Sequence, residues 1–378
     1  MNFLGRLKTS LLELFSISPQ EWLLILFSVT GSFAGGANTV IIPLYLNSAG
    51  FSPPEIGLLI SGQFFISLTS SFLLSLLADA YGRKKTITVA RVTSLVALIM
   101  LLSGNPYGTM LLGVGGFGGQ FGAILAERSS HLERSYSLVL SLQAFSAVAG
   151  ALLPSFLTFN QIFLSEIALN FVAIVLISLV KEHYKGSRKV SPRISSAKTV
   201  GKLSVQSFIG IGGGIVLPLM PLWFLLKFNA VQQQVSLVFA SYQLVVALVM
   251  LFAPFLGEQL GKVRAIVYTQ AVSIALLMII PLSPIFILAS SLFVVRQASM
   301  NMTNPLYNSM VMKMVPEEER ARAASYINLL DSIPRAFGPI LTGYLFGQGD
   351  LFLSFYIAAI FYSISTLLFF VFFKNTRI

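Results

Sequence analysis

Twelve stretches of predominantly apolar residues follow one another along this chain, and no other feature limits its fold so strongly. A helix needs about 20 such residues to cross the hydrocarbon core of a bilayer. The stretches fall near residues 22–46, 56–78, 86–104, 108–126, 137–157, 161–180, 203–226, 235–257, 265–281, 285–311, 323–346 and 351–373. Turn clusters such as Ser52-Pro53-Pro54, Gly104-Asn105-Pro106 and Gly347-Gln348-Gly349-Asp350 punctuate them. Only 10% of the 378 residues are charged, against about 25% in a soluble domain. Too few polar side chains exist to coat a water-soluble surface, and with no cysteine there is no disulfide framework. The pattern implies an all-α integral membrane protein and excludes a soluble enzyme or a disordered chain.

The net charge of +11 is informative only once it is placed. Nucleic-acid binding would gather the basic residues on a polar domain, and the sequence has none, so no nucleic-acid partner is expected. With the N-terminus inside, Arg91, Arg296 and Arg335 fall within spans and Lys227 in an outer loop. The other 21 of the 25 cations fall in cytoplasmic segments. This asymmetry is the one positive-inside topology demands. It predicts a multi-pass protein of the cell membrane with both termini cytoplasmic. The first stretch, about 25 residues long, runs into a second span and reads as a retained helix rather than a cleaved signal.

A long connection divides six spans from six. The expected organisation is an N-terminal six-helix bundle over 1–180, a cytoplasmic linker over 181–202 and a C-terminal six-helix bundle over 203–378. The halves also repeat. Residues 35–46 align with 213–224, pairing Gly35 with Gly213, Gly36 with Gly214 and Pro43 with Pro221. Residues 78–87 align with 257–266, pairing Asp79 with Glu258, Gly82 with Gly261 and Arg83 with Lys262. Further on, Arg134 meets Arg322 and Gly150 meets Gly338. Six-helix halves repeated in the same orientation are a transporter plan, with a cavity at the midplane between them.

The loop Leu77-Ala78-Asp79-Ala80-Tyr81-Gly82-Arg83-Lys84 resembles the signature between the second and third helices of the major facilitator superfamily. A weaker copy, Glu258 to Arg264 with Gly261 and Lys262, occupies the matching place in the second half. The resemblance covers essentially the whole chain. It implies twelve transmembrane helices in two pseudo-symmetric six-helix bundles, the major facilitator fold. It also implies that Asp79, Gly82, Arg83, Lys84, Glu258, Gly261, Lys262 and Arg264 form a cytoplasmic latch holding the halves together when the cavity faces outward. An ordinary positive-inside turn would leave the same cations in that loop. The arginine common in the family's fourth span has no counterpart in 108–126. In the family the first, fourth, seventh and tenth helices line the cavity, which makes Asn38, Gln120, Gln297, Asn301 and Asn304 expected polar lining residues, together with Asn328.

Charge inside a bilayer is expensive and marks a functional candidate. Arg296, Asp331, Arg335 and Glu166 qualify, whereas Arg91 is close enough to the cytoplasm to snorkel. Gln297, Asn301, Asn304 and Asn308 share one face of the tenth helix, bordered by Arg296; Asn328, Asp331, Arg335 and Thr342 share one face of the eleventh. Asp331 and Arg335 have the acid-first i,i+4 spacing that favours a pair, and Arg296 is expected at a similar depth. Such a cluster could lock two helices or form a binding or coupling site. Both histidines fall in loops, so a coupling proton would need Asp331 or Glu166.

Gly113-Val114-Gly115-Gly116-Phe117-Gly118 fits a dinucleotide fingerprint but lacks its strand and acid, so it reads as close helix packing. Gly210 to Gly214 followed by Pro218 and Pro221 suggests a bent segment or simple packing. No metal spacing, cofactor motif or catalytic constellation occurs. The function expected is secondary active transport of a small solute by alternating access, as proton-coupled efflux of amphipathic compounds. The alternatives are uptake or facilitated diffusion of an organic anion or polar metabolite, and a non-transporting membrane receptor or assembly factor. The partners expected are a small-molecule substrate, protons and the lipid bilayer, with the chain a monomer.

Overall fold

The computed structural model describes residues 17–115, 118–129, 132–182, 196–316 and 319–375, without the side chains of 76, 79, 80, 118, 119, 132–134, 320–322, 324 and 325. All regular structure among them is helical. The N-terminal half comprises α1 (Pro19–Ser48), α2 (Pro53–Tyr81), α3 (Arg83–Leu102), α4 (Gly118–Arg128), α5 (Leu132–Leu152) and α6 (Phe159–Leu179). The C-terminal half comprises α7 in two arms (Ala197–Val216 and Met220–Phe228), α8 (Gln232–Leu260) and α9 (Lys262–Leu282). It continues with α10 in two arms (Phe286–Asn301 and Asn304–Met314), α11 (Arg320–Gly347) and α12 (Leu353–Phe373). Among the described residues eight helices are long and apolar enough to cross a bilayer, or nine with the arms of α7 taken as one.

Local sequence explains where these helices start. Ser18-Pro19-Gln20-Glu21 and Ser52-Pro53-Pro54-Glu55 are capping boxes with proline in the first turn. In each, a glutamate carboxylate accepts the cap residue's backbone N–H at 2.8 Å. At α6, Gln161 accepts from the Thr158 N–H in the same way.

Three spans expected as continuous are broken. The fourth has only a short helix, Gly108–Leu111, before the chain leaves helical geometry and re-enters it at Gly118. Within that stretch the chain passes close to α2: a Cβ on Gly113 would stand 2.1 Å from the Gln63 carbonyl oxygen. The seventh bends by 41° after Val216. Pro218 lies in that break, so the proline marks the bend rather than the glycine run before it. The tenth breaks at Met302 and Thr303, just before Pro305.

The glycines matched between the halves turn out to be matched helix crossings. Gly36 of α1 and Gly150 of α5 face each other's backbones: a Cβ on Gly36 would lie 2.1 Å from the Ala147 carbonyl oxygen, and one on Gly150 would lie 1.9 Å from that of Phe33. Their repeat partners do the same between α7 and α11, with Gly214 against the Arg335 carbonyl at 2.2 Å and Gly338 against Gly214 at 2.0 Å. Small residues let backbones approach where apolar lipid supplies no hydrophobic drive for association.

One face of the protein carries the basic loops after α2 and α8 and the Arg128 end of α4; the face opposite holds the contacts between halves. There α2 packs on α11, with Gly57 against the Pro339 carbonyl and Gly343 against that of Pro53. The Ile340 N–H donates to Ser61 Oγ at 3.2 Å, and the Phe65 and Phe337 rings meet at 4.8 Å. Beside them α5 packs on α8. Ser155 Oγ donates to Ser236 Oγ at 2.9 Å, Ser236 to the Ala151 carbonyl, and Gln232 Nε2 to the Pro154 and Leu157 carbonyls at 2.8 Å.

Candidate functional site

Between the halves lies a cavity of about 700 Å³. Most of its wall comes from α1, α2, α3, the α4 region and α6, while the C-terminal half contributes Gly213, Leu217, Pro218, Tyr242 and Arg335. Phe27, Phe64, Phe121 and Tyr242 bring aromatic rings to the wall. The ionisable side chains in the described wall are Arg91, Glu166, Tyr242 and Arg335. Glu166 is the sole carboxyl among them.

The polar groups of the N-terminal half are tied together in sequence along α6. Glu166 is only 1% exposed and accepts a hydrogen bond from Asn38 Nδ2 of α1 at 3.1 Å on Oε2. One turn further, buried Asn170 donates from Nδ2 to the Arg91 carbonyl of α3 at 3.1 Å. The Arg91 guanidinium lies over the Phe27 ring, 4.6 Å from its centroid, in a contact that helps offset desolvation of the cation. Arg91 was expected to reach the membrane interface. Instead it is 8% exposed in the cavity wall, because Phe27 and the glycine surface at Gly31 receive it from the neighbouring helix. Sequence reasoning counted depth along α3 but could not see which face of α1 it would meet.

In the C-terminal half the acid-first pair forms: Arg335 Nε and Nη2 reach Asp331 Oδ2 at 3.0 and 2.8 Å. Both side chains are about one-third exposed, at 32% and 29%, and Arg335 extends into the cavity wall. Arg296 does not join them. It is 1% exposed, its guanidinium stacks over the Tyr362 ring of α12 at 4.8 Å, and Nη1 donates to Gln297. Tyr362 stands between the two arginines, since a Cβ at Gly213 would meet both its hydroxyl and Arg335 Nη1.

The polar stripe of α10 is likewise outside the cavity's described lining. Asn301 donates to the Gln297 carbonyl at 2.8 Å and Asn304 to Asn301 Oδ1 at 3.2 Å, so the stripe satisfies itself along the helix. Of the polar residues expected to line the cavity, Asn38 does so; Gln120, Gln297, Asn301, Asn304 and Asn328 are outside its described lining. The break at Met302 and Thr303, and the packing of Phe286–Asn301 on α8 and α9, leave Gln297, Asn301 and Asn304 outside that lining. Gln63, Gln143 and Asn170 line the cavity instead. Asn170 had a signal, being one turn from Glu166 on the same helical face.

On the basic face, Gly82 and Gly261 adopt nearly the same conformation, φ 101° with ψ 143° and φ 77° with ψ 146°, each immediately before a helix. Only glycine enters that region without strain. The Asp79 side chain lies outside the described ones. Arg83 pairs with Glu127 of α4, and Lys84 Nζ reaches the Ser178 and Val180 carbonyls. Glu182, at the start of the linker, accepts the Arg83 and Lys84 backbone N–H groups at 2.7 and 3.2 Å. A carboxylate is well placed at a helix N-terminus, where free N–H groups point outward. These bonds join helices of one half to its linker. In the second copy Lys262 Nζ donates to Ser309 Oγ at 3.1 Å, while Glu258 and Arg264 are exposed. We expect Gly82→Ala and Gly261→Ala each to cost about 1–3 kcal/mol. Gly201→Ala, at a helical position with open space around it, should stabilise slightly. Thermal unfolding of the three purified variants checks this ordering.

The Major Facilitator Superfamily profile matches residues 22–208 and, a second time, residues 202–378. The chain belongs to this superfamily. The two matched stretches together span residues 22–378. Similar solved folds include the nucleoside transporter NupG, with a TM-score of 0.76 at 14% identity, covering 95% of this chain and 100% of that one. A bacterial homolog of the human lysosomal transporter Spinster, inward-facing and occupied, gives 0.75 at 13% identity over 93% and 95% of the two chains. A D-xylose-proton symporter gives 0.71 at 13% identity over 92% and 97%. No curated protein sequence matches. Superfamily membership makes this a multi-pass membrane transporter rather than an enzyme.

Proposed function

We propose that this protein exports amphipathic compounds across the cell membrane in exchange for protons, by alternating access. The observation that carries the reading is the cavity: largely apolar, aromatic-lined, between the halves, with Glu166 as its sole carboxyl among the described residues. An apolar wall holds an amphipathic solute by burial, and a carboxyl takes up and releases protons. Residues 1–180 and 203–378 rock as two bundles joined by the 181–202 linker, in a monomer. The basic face is the cytoplasmic one, by the positive-inside rule, and both termini lie there. Asp79, Gly82, Arg83 and Lys84, with Glu258, Gly261, Lys262 and Arg264, act as the latch on that face. Asp331, bonded to Arg335 beside the cavity, is the second place at which a proton could act.

Flux into proteoliposomes, with and without a proton gradient and across cationic and anionic solutes, tests the reading. Glu166→Gln is expected to lose uphill proton-driven transport while retaining downhill exchange. Asp331→Asn tests the alternative carrier. If both variants keep uphill transport, neither carboxyl is the coupling group. Uptake of an organic anion is a second reading, supported by Arg91 and Arg335 in the wall; the same screen would show it as equilibration or exchange of anions independent of the proton gradient.

A further inference from the structure

The three oxygens that Asn38, Glu166 and Asn170 leave without partners define a more specific requirement than an apolar cavity does. Asn38 Oδ1, Glu166 Oε1 and Asn170 Oδ1 are all buried and have no hydrogen-bond partner. Their identity as acceptors is fixed by the bonds on the other side of each group. Asn38 spends its amide nitrogen on Glu166 Oε2, and Asn170 spends its own on the Arg91 carbonyl. Neither amide can be flipped without placing oxygen against oxygen. The residues sit on two adjacent helices, α1 and α6, in the wall of one cavity. Buried acceptors left unsatisfied are costly, and three together in one wall call for donors from elsewhere.

Charge points the same way. No cation pairs with Glu166 among the described residues, whereas the other charged groups in the wall are engaged: Arg91 with the Phe27 ring and Arg335 with Asp331. Tyr242, the remaining ionisable group there, brings a single hydroxyl from α8. A proton on Glu166 Oε1 would remove the charge but supply one O–H for two amide oxygens, leaving an acceptor still open. A group that carries both positive charge and several N–H donors answers the carboxylate and both amide oxygens at once.

We infer that the cavity takes solutes with an N–H-bearing cationic head, a primary ammonium or an amidinium, received by Asn38, Glu166 and Asn170. The apolar remainder of such a solute lies along the aromatic wall formed by Phe27, Phe64 and Phe121. This assignment deepens the transport reading above and rests on it for its physiological meaning, but not for its test.

The test is equilibrium binding to the purified full-length protein in lipid nanodiscs. Phenethylammonium and benzamidinium are compared with phenethyltrimethylammonium, which keeps the charge and the ring but has no N–H. The N–H-bearing probes should bind at least about tenfold more tightly than the methylated cation, because only they satisfy the buried acceptors. In Glu166→Gln and Asn170→Leu the preference should fall to about twofold or less. Equal affinity of methylated and unmethylated cations in the unmodified protein overturns the assignment, as does failure of both N–H-bearing probes to bind, and neither result depends on a variant folding. Flux separates this failure from failure of the transport reading. Proton-driven movement of an anion or neutral solute without binding of either N–H-bearing probe leaves transport standing and removes the cation site. N–H-selective binding with no solute crossing proteoliposomes does the reverse.

Discussion

Oxidising a Ser155→Cys/Ser236→Cys double variant is expected to abolish transport, and adding a reductant to restore it. The two hydroxyl oxygens lie 2.9 Å apart across the seam between α5 and α8, on the face opposite the basic loops. Sulfur atoms at those positions are close enough to join after small side-chain rotations, since a disulfide needs its Cβ atoms about 4 Å apart. The chain has no cysteine of its own, so every thiol signal comes from the introduced pair. If access alternates, this seam must part once per cycle, and a covalent bond across it holds one state. Maleimide labelling of residual thiols measures how much protein is crosslinked. Each single variant should transport normally under the same oxidant. Full transport by a fully crosslinked sample would mean that the halves never separate at Ser155 and Ser236, and rocking about the cavity would have to be abandoned.

Gly150→Val is expected to prevent folding of the N-terminal half almost completely. Its Cβ would stand 1.9 Å from the Phe33 carbonyl oxygen, a backbone atom that can yield only if α1 moves. Separating α1 from α5 by even part of an ångström empties contacts along a long crossing, and overpacking of this kind costs about 3 kcal/mol or more. Gly338→Val, the repeat partner, meets the Gly214 backbone at 2.0 Å and should fail in the same way in the other half. Yield of monodisperse protein on size exclusion checks both. Gly35→Ala provides the contrast, since nothing lies within 4 Å of a Cβ there, and its yield should be unchanged. Normal yields from both valine variants would show that the crossings are looser than their geometry.

The matched glycines also show how far a sequence can carry such an argument. Gly36 with Gly214 and Gly150 with Gly338 were visible as identities between halves, and ordered agreement of small residues is hard to obtain by chance among leucine-rich helices. That they are the points where α1 meets α5 and α7 meets α11 is a property of how distant segments pack. The pairing of Asp331 with Arg335 was equally legible, because i,i+4 spacing on one helix brings them together whatever the helix packs against. Arg91, Arg296 and the asparagine stripe of α10 were not legible in the same sense. Their depth and face followed from residue counting, but the direction of a face depends on neighbouring helices that the counting does not contain. Glu182 was missed because its role requires two chain-distant pieces, the linker start and the α3 N-terminus, to be adjacent.

By itself the sequence determined the helical membrane architecture, the repeat, the glycine turns at Gly82 and Gly261, and the Asp331–Arg335 pair. All of these follow from length, composition and spacing within a single segment, where the periodicity of the helix supplies the geometry. The tertiary structure decided which polar groups face the cavity, turning Arg296 against Tyr362 and bringing Asn38, Glu166 and Asn170 into one wall. That choice depends on how each helix is rotated about its own axis. Rotation is set by backbone contacts at glycine crossings and by the breaks in the fourth, seventh and tenth spans, and both arise between segments far apart in the chain.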